Sequence, residues 1–477
     1  MGSSPDVIPG KLIVDSVHGD IHLTEREWLI LDTLAFQRLR NLKQLGMGQI
    51  TYPNATHTRF AHSVGALGIM ARILAVAKAN NYRLSKYQQE NLRMAALLHD
   101  VGHYPYSHLM ERIDGVTLIE EEINEAARTR TRKRAFDASR VGYPSHEQLG
   151  TEIVTHQRQL VDAIGGPDRA KEVADLFARS KAADPQLSKL LHSSFDMDRV
   201  DYLQRDSRAA GVPYGNIDVN YLLNSLRISK SGMVGVVDKA LPAAEQFLLA
   251  RFFMHRTVYY HKTTYGMEEA CRHLLRRIRD AKMYCIPADG PAILDIVRSP
   301  NLATFTDSFV DHLVHLASQE GKGVVRALAR SIEARRPPKL LKEILVLEPS
   351  TSTHHDGTAF RLAAKSSLKA LARKHKIPLG QFLLCNTRPL RLEERSALLT
   401  TEQARSLPPE QEDELIKVFV GSESEPKSLV DIPHSLIGVC SGHVFQAYRL
   451  YVVYEGDERD RTIKLLQREV RGWGNPS

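Results

Sequence analysis

His99 and Asp100 stand side by side in "LLHDVGHYPYSH" (97–108), with His103 and His108 close behind. An adjacent imidazole and carboxylate suit a metal ion, but two ligands do not fill a coordination sphere. Candidates for the rest lie in "HTRFAHSVG" and "SSFDMDRVDY". His62 follows Arg59 by three residues, so one helical face carries both. Asp198, Tyr202 and Asp206 repeat at four and share a face likewise. His62, His99, Asp100 and Asp198 together offer two imidazoles and two carboxylates. That mixed set suits a divalent Fe, Mn, Mg, Co or Zn ion and not a thiolate zinc. Positions left open to water would serve metal-assisted hydrolysis.

Each piece alone has a plainer reading. His62 on an apolar helix reads as a hydrogen-bonded core histidine. His99-Asp100 reads as a helix C-terminus before Gly102. Asp198 reads as part of a solvated ion-pair face. It is the combination, with its flanks, that carries the metal reading.

H…HD…D is the pattern of the HD-domain phosphohydrolases. "DTLAFQRLRNLKQLG", "THTRFAHSVG", "LLHDVGHYPYSH", "SHEQLG", "FDMDRVDYLQRD" and "VYYHKT" occur in the order found in one branch of them. Over residues 10–285 the chain resembles the deoxynucleoside-triphosphate (dNTP) triphosphohydrolases, without the sterile alpha motif of the animal enzyme. The resemblance implies that His62, His99, Asp100 and Asp198 hold the metal, and that His103 and His146 are catalytic. An Asp that orients an imidazole often follows the histidine matching His108 by three; here that residue is Glu111. Arg59, Arg199, Tyr202, His261 and Lys262 resemble phosphate-contacting residues. Gln44 and Asp206 resemble the pair that binds the sugar 3′-hydroxyl, with Leu45 in the same substrate-binding set. Tyr259 resembles the residue that crowds the 2′ position, although helix spacing alone favours a core aromatic. Arg251 resembles a base- or sugar-edge residue.

The resemblance also implies a guanine-nucleotide activator bound between subunits of a homo-oligomer, dimer or tetramer. Its contacts match Lys11, Asp32, Gln37 and Arg40. Val14 and Val237 replace polar residues of that pocket, and the plainer reading of "QRLRNLK" is a basic helix face packed on another subunit.

The composition accommodates this. The chain has 477 residues, 43% hydrophobic and 25% charged, with a formal net charge of +8. A modest basic excess suits an anionic partner such as a nucleotide or nucleic acid. The scattered Cys271, Cys285, Cys385 and Cys440 read as reduced thiols of a cytoplasmic protein. No apolar run is expected to reach membrane-spanning length, and no signal peptide is read at the start.

The elements that must position these residues read mainly as helix. An extended start, "KLIVDSVHGDIHL", precedes one helix over "EREWLILDTLAFQRLRNLKQLG" that ends at Gly46. Further helices cover "AHSVGALGIMARILAVAKA", "YQQENLRMAALLHDVGH", 146–164, 170–181, and a run ending at Gly211. A long helical stretch spans 236–283. Residues 116–142 hold an acidic block and then "RTRTRKR"; they read as a charged surface insertion. "LIKVFVG" and "YRLYVVYEG" read as strands. The expected architecture is a helical HD-type catalytic core over 1–290 and a smaller α+β region over 291–477 serving oligomerisation or regulation. The function expected is dNTP hydrolysis to deoxynucleoside and inorganic triphosphate. The rivals are an HD phosphohydrolase acting on an NTP, a dNMP or a signalling nucleotide, and a nucleic-acid-binding protein with a degenerate site.

Overall fold

A computed structural model of the chain describes residues 7–127, 141–193, 195–349, 355–392, 416–421, 425–440, 442–456 and 458–474. The basic cluster at 128–134 lies outside these. Strands β1 (Val7–Asp15) and β2 (Gly19–Thr24) form an antiparallel hairpin, with Ile13 opposite Ile21. The single helix expected next is instead three pieces: Glu25–Leu31, Leu34–Gln37 and a 3-10 turn Arg38–Asn41. Thr33 makes the break. Its hydroxyl donates to the Ile30 carbonyl at 2.8 Å and accepts from the Phe36 N–H at 3.3 Å, capping the second piece.

Helix α1 (Arg59–Ala79) starts at a Thr58 cap and runs through the middle of the core. It is apolar nearly all round, because neighbours cover most of its surface. Contrary to the sequence expectation, it is long and apolar enough by composition to cross a membrane; 67% of its most apolar window is buried. Helix α2 (Lys86–Leu98) begins at a Ser85–Gln88 capping box and ends at His99. Helices α3 (His146–His156) and α4 (Met197–Ala210) come next, and α4 packs against α1.

The expected long helix over 236–283 is also divided. Strand Val234–Val237 leads into α5 (Leu241–Met254), a π turn His255–Tyr259, and α6 (Lys262–Asp280). The π turn adds a residue per turn, and such turns often sit at functional sites.

Beyond it, helices Gly290–Arg298, Asp307–Glu320 and Gly323–Glu333 still pack into the main core. A second, smaller core gathers around an antiparallel sheet. In chain order it comprises β3 (Lys339–Pro349), the helix α7 (His355–Lys374), β4 (Phe382–Asn386), β5 (His443–Val452) and the helix α8 (Arg459–Val470). The spatial order is β3–β5–β4. Leu450 lies opposite Leu384, and both join Phe360, Leu368 and Leu466 in that core. The "LIKVFVG" strand forms at Lys417–Phe419, parallel to Val234–Val237.

The acidic half of the expected surface insertion is not a solvated loop. It forms helix Ile119–Ala127, whose Ile119 and Ile123 are buried in the second core. Glu120 pairs with Arg277 at 2.7 Å, and Glu122 with Arg361 at 2.9 Å and Lys365 at 2.8 Å. The helix thereby ties α6 to the C-terminal unit.

Candidate active site

Three helices converge on one point. His62 comes from the first turn of α1, His99 and Asp100 from the end of α2, and Asp198 from the first turn of α4. Nε2 of His62 lies 3.2 Å from Nε2 of His99, 3.0 Å from Asp198 Oδ1 and 3.5 Å from Asp100 Oδ2. His99 Nε2 lies 3.5 Å from Asp100 Oδ1 and 3.7 Å from Asp198 Oδ1. The other ring nitrogens face outward to acceptors: His62 Nδ1 to Asp201 Oδ2 at 2.7 Å, His99 Nδ1 to the Ala96 carbonyl at 2.8 Å. This is the arrangement in which outer acceptors turn Nε2 toward a metal. Two imidazoles and two carboxylates fit a divalent ion. Burial disfavours a charged His62, yet Asp198, Asp201 and Asp100 push its pKa up to about 10. The cluster therefore demands positive charge at its centre.

Two glycines allow the approach. A Cβ on Gly65 of α1 would overlap the Asp201 carboxylate and Arg205 of α4. A Cβ on Gly102 would overlap the backbone of α3 at His146 and Gly150.

Beside the metal ligands stand His103, His108 and His146. Ring centroids are 4.1 Å apart for His103–His146 and 5.2 Å for each other pair. His103 is 1% exposed, and neither of its ring nitrogens has a hydrogen-bond partner. Burial, helped by Arg59 and the neighbouring imidazoles, holds it neutral. Its Nδ1 lies 3.3 Å from Asp100 Oδ1, joining the trio to the metal ligands. Glu111 accepts from His108 Nδ1 at 2.5 Å, from His146 Nδ1 at 2.9 Å and from the His146 backbone N–H at 2.9 Å. The extra methylene lets one carboxylate orient two imidazoles. Burial opposes its charge, but the two imidazoles hold Glu111 far below the ordinary carboxylate range.

Arg59 donates to Asp100 and, from Nε, to Ser107 Oγ at 2.9 Å. It also lines a cleft of about 890 Å³ that contains Gln44, Leu45, Tyr202, Asp206 and Tyr259. Asp206 accepts from His57 Nε2 on Oδ1 and from the Tyr259 hydroxyl on Oδ2, both at 2.7 Å. Gln44 Oε1 is buried with no partner. Tyr259 thus faces a polar cleft, with the Tyr202 ring 6.2 Å away. On the other side of the metal ligands a second cleft of about 830 Å³ holds His99, Asp100, His146, Asp198 and Arg199.

The remaining residues are placed differently. Arg251 is half-buried and lines neither cleft, but its charge reaches Tyr202 and His255. His261 and Lys262 are not brought to either cleft. The chain leaves the π turn there to start α6: His261 Nδ1 caps the helix by accepting from the Thr263 N–H at 3.3 Å, and Lys262 is exposed. Lys11 and Arg40 lie over the rings of Trp28 and Phe60, at 3.9 and 3.6 Å. Arg40 Nε donates to Gln37 Oε1 at 2.8 Å, Asp32 is exposed, and Val14 is 75% exposed. Sequence reasoning missed Asp201, His57 and His255; the last lines the cleft of Asp206 and Tyr259 with a buried Nδ1 that has no partner among the described residues.

Residues 59–206 match the family described as HD domain, and residues 217–346 match the HD associated region. The chain thus carries an HD domain followed by an HD associated region, and its fold is that of the HD-domain phosphohydrolases. Among curated proteins it is similar to an uncharacterized protein of Methanocaldococcus jannaschii, 33% identical over 53% of this chain and 46% of that one. It is similar to the uncharacterized YwfO of Bacillus subtilis, 29% identical over 56% of each chain. It is similar to the human deoxynucleoside triphosphate triphosphohydrolase SAMHD1, 29% identical over 53% of this chain and 42% of that one. The chain spans about half the length of these relatives. A crystal structure of a phosphohydrolase from Bacteroides thetaiotaomicron covers 92% of this chain and 99% of its own, with a TM-score of 0.66 and 22% identity, and shows the same fold.

Proposed function

We propose that this protein hydrolyses dNTPs at the α-phosphorus, releasing deoxynucleoside and inorganic triphosphate. The observation that carries the reading is the junction of two parts. Arg59 joins the candidate divalent-metal ligand set, through its bond to Asp100, to a cleft that it lines together with the hydrogen-bonded pair Asp206–Tyr259.

His62, His99, Asp100 and Asp198 would hold the ion. When bound it would supply Lewis acidity toward a phosphoryl oxygen. This chain's residues do the rest. Arg59 from the first cleft and Arg199 from the second, across the ligand set, offset phosphate charge, and Tyr202 donates its hydroxyl; burial keeps that phenol protonated. A water molecule attacks the α-phosphorus as its bond to the 5′-oxygen breaks; Glu111 fixes His108 and His146 by Nδ1, and Nε2 of His108, or of His146 beside Glu147 at 3.3 Å, carries a proton to the leaving oxygen. Gln44 and Asp206 take the 3′-hydroxyl. The Tyr259 ring fills the space beside the 2′ carbon, so a ribose hydroxyl meets a steric wall. Lys11, Asp32, Gln37 and Arg40 form the activator contact of an oligomer.

Incubation of the metal-loaded protein with each dNTP and NTP, followed by chromatography of the products, tests this. Inorganic triphosphate from dNTPs is the expected product. Pyrophosphate or single phosphates, or equal turnover of NTPs, would favour a phosphohydrolase for another nucleotide.

A further inference from the structure

The sugar-side cleft continues past Tyr259. It ends between the 108–116 segment, α6 and the loop after β4, where Arg112, Glu268, Arg272 and Arg388 line it and Val258 and Tyr260 form a wall. Glu268 adjoins the turn that carries Gln44: a Cβ on Gly46 would stand 3.6 Å from Glu268 Oε1. With the sugar at Asp206 and Tyr259 and the phosphates at Arg59, this end is where the base extends.

The charges here are unevenly matched. Arg272 has two carboxylates, Glu269 at 3.1 Å and Glu268 at 3.8 Å. The guanidinium groups of Arg112 and Arg388 have no hydrogen bond or ion pair among the described residues. They gather all the same: burial, then the charge of Arg388, lowers the pKa of Arg112, and both arginines act on the Tyr260 hydroxyl. Two guanidinium groups with no partner among the described residues, beside Glu268, whose Oε2 lies 3.8 Å from Arg272 and whose Oε1 faces Gly46, present hydrogen-bond donors and an acceptor together. Guanine alone of the four bases offers the complement. Its O6 and N7 accept two parallel bonds from a guanidinium. Its N1–H and 2-amino group donate to a carboxylate. Adenine would turn its 6-amino donor toward the arginines.

We infer that Arg112, Arg388 and Glu268 select guanine, making a guanine deoxynucleotide the preferred ligand of this cleft. The inference rests on the reading that the cleft holds a deoxynucleotide with its phosphates at the metal ligands.

The test measures base preference without turnover. Calorimetric binding of 2′-deoxyguanosine and 2′-deoxyadenosine to the metal-loaded protein should favour deoxyguanosine by about tenfold or more, the scale of one good bidentate contact. Arg388→Ala, Arg388→Lys and Glu268→Gln should each remove most of that preference and leave deoxyadenosine affinity within about twofold. Arg388 is exposed, so its replacement leaves the core intact. A wild-type preference below twofold, or variants that weaken both nucleosides equally, would overturn the inference. Turnover separates it from the reading beneath it. Triphosphate release from all four dNTPs at equal kcat/KM would keep the reaction and remove the guanine selection. A deoxyguanosine preference without triphosphate release would keep the selection and remove the reaction.

Discussion

The Tyr259 hydroxyl donates to Asp206 Oδ2 at 2.7 Å, and His57 Nε2 holds the other oxygen of the same carboxylate at 2.7 Å. Both oxygens of Asp206 thus have a donor before any ligand arrives. A sugar hydroxyl would add to an oriented carboxylate, not organise a free one. The Tyr259 ring is held over the cleft by the same bond, so the group proposed to test for a 2′-hydroxyl and the group proposed to bind the 3′-hydroxyl are positioned together.

Tyr259→Ala and Tyr259→Phe should therefore separate two effects. The alanine variant removes the ring, and the ratio of kcat/KM for dNTP over NTP should narrow. The phenylalanine variant keeps the ring and leaves Asp206 Oδ2 without its donor. Its kcat/KM should fall for both substrate types by about 5- to 30-fold, the scale of a lost hydrogen bond to a buried charge, with the ratio kept. An unchanged ratio in a folded Tyr259→Ala protein would return the ring to a packing role.

Asp201 touches no cleft, yet it accepts from His62 Nδ1 at 2.7 Å, His18 Nε2 at 2.7 Å and Arg205 Nε at 2.9 Å. Asp201→Asn should weaken metal binding by about 10- to 100-fold, as outer partners of ligating histidines do. Asp198→Ala should abolish stoichiometric metal. Titration of chelated protein, read by elemental analysis, checks both. Equal affinity in wild type and Asp201→Asn would show that His62 needs no such orientation.

Glu111 gives a pH signature. Its folded pKa is depressed, so the native state binds fewer protons than the unfolded chain. Its contribution to stability is present above the unfolded carboxylate pKa of about 4.3 and is lost as pH falls below it. Thermal melts of metal-free protein should lose Tm on acidification from about pH 5 toward about pH 2, and Glu111→Gln should lose less over the same range. Parallel losses would mean that Glu111 is not charged between its two histidines.

How far the sequence discloses this site depends on which contacts are local. The convergence of the four candidate metal ligands is legible, because HD adjacency and the shared faces around His62 and Asp198 come from helix geometry. Asp201 is not. "DMDRVDYLQRD" carries four aspartates, and which one meets His62 depends on the close approach at Gly65, a contact between α1 and α4. The broken helix at Thr33 and the π turn at His255–Tyr259 are hidden because apolar spacing runs through both. The π turn also redirects the chain: it places Tyr259 in the cleft and sends His261 and Lys262 to the start of α6. The acidic run 119–127 reads as a solvated face because its apolar partners, Phe360 and its neighbours, lie more than two hundred residues away.

The regulatory expectation ends on a specific chain of contacts. Arg40 stacks on Phe60 with its guanidinium carbon 3.6 Å from the ring centroid, and the preceding residue, Arg59, binds the metal ligand Asp100. A guanine nucleotide held by Asp32, Gln37 and Arg40 would have to draw Arg40 from Gln37 and Phe60, and so act on the first turn of α1. A ligand bound between subunits also stabilises the assembled state by mass action. A guanine nucleotide should then lower the half-saturating concentration of other dNTPs and increase the particle size in light scattering. Asp32→Ala should lose both effects and keep its metal, since the two sites share no ligand. Full basal activity at constant size, with or without the nucleotide, would leave Arg40 and Phe60 as a packing contact, in keeping with the apolar Val14 and Val237 of the expected pocket.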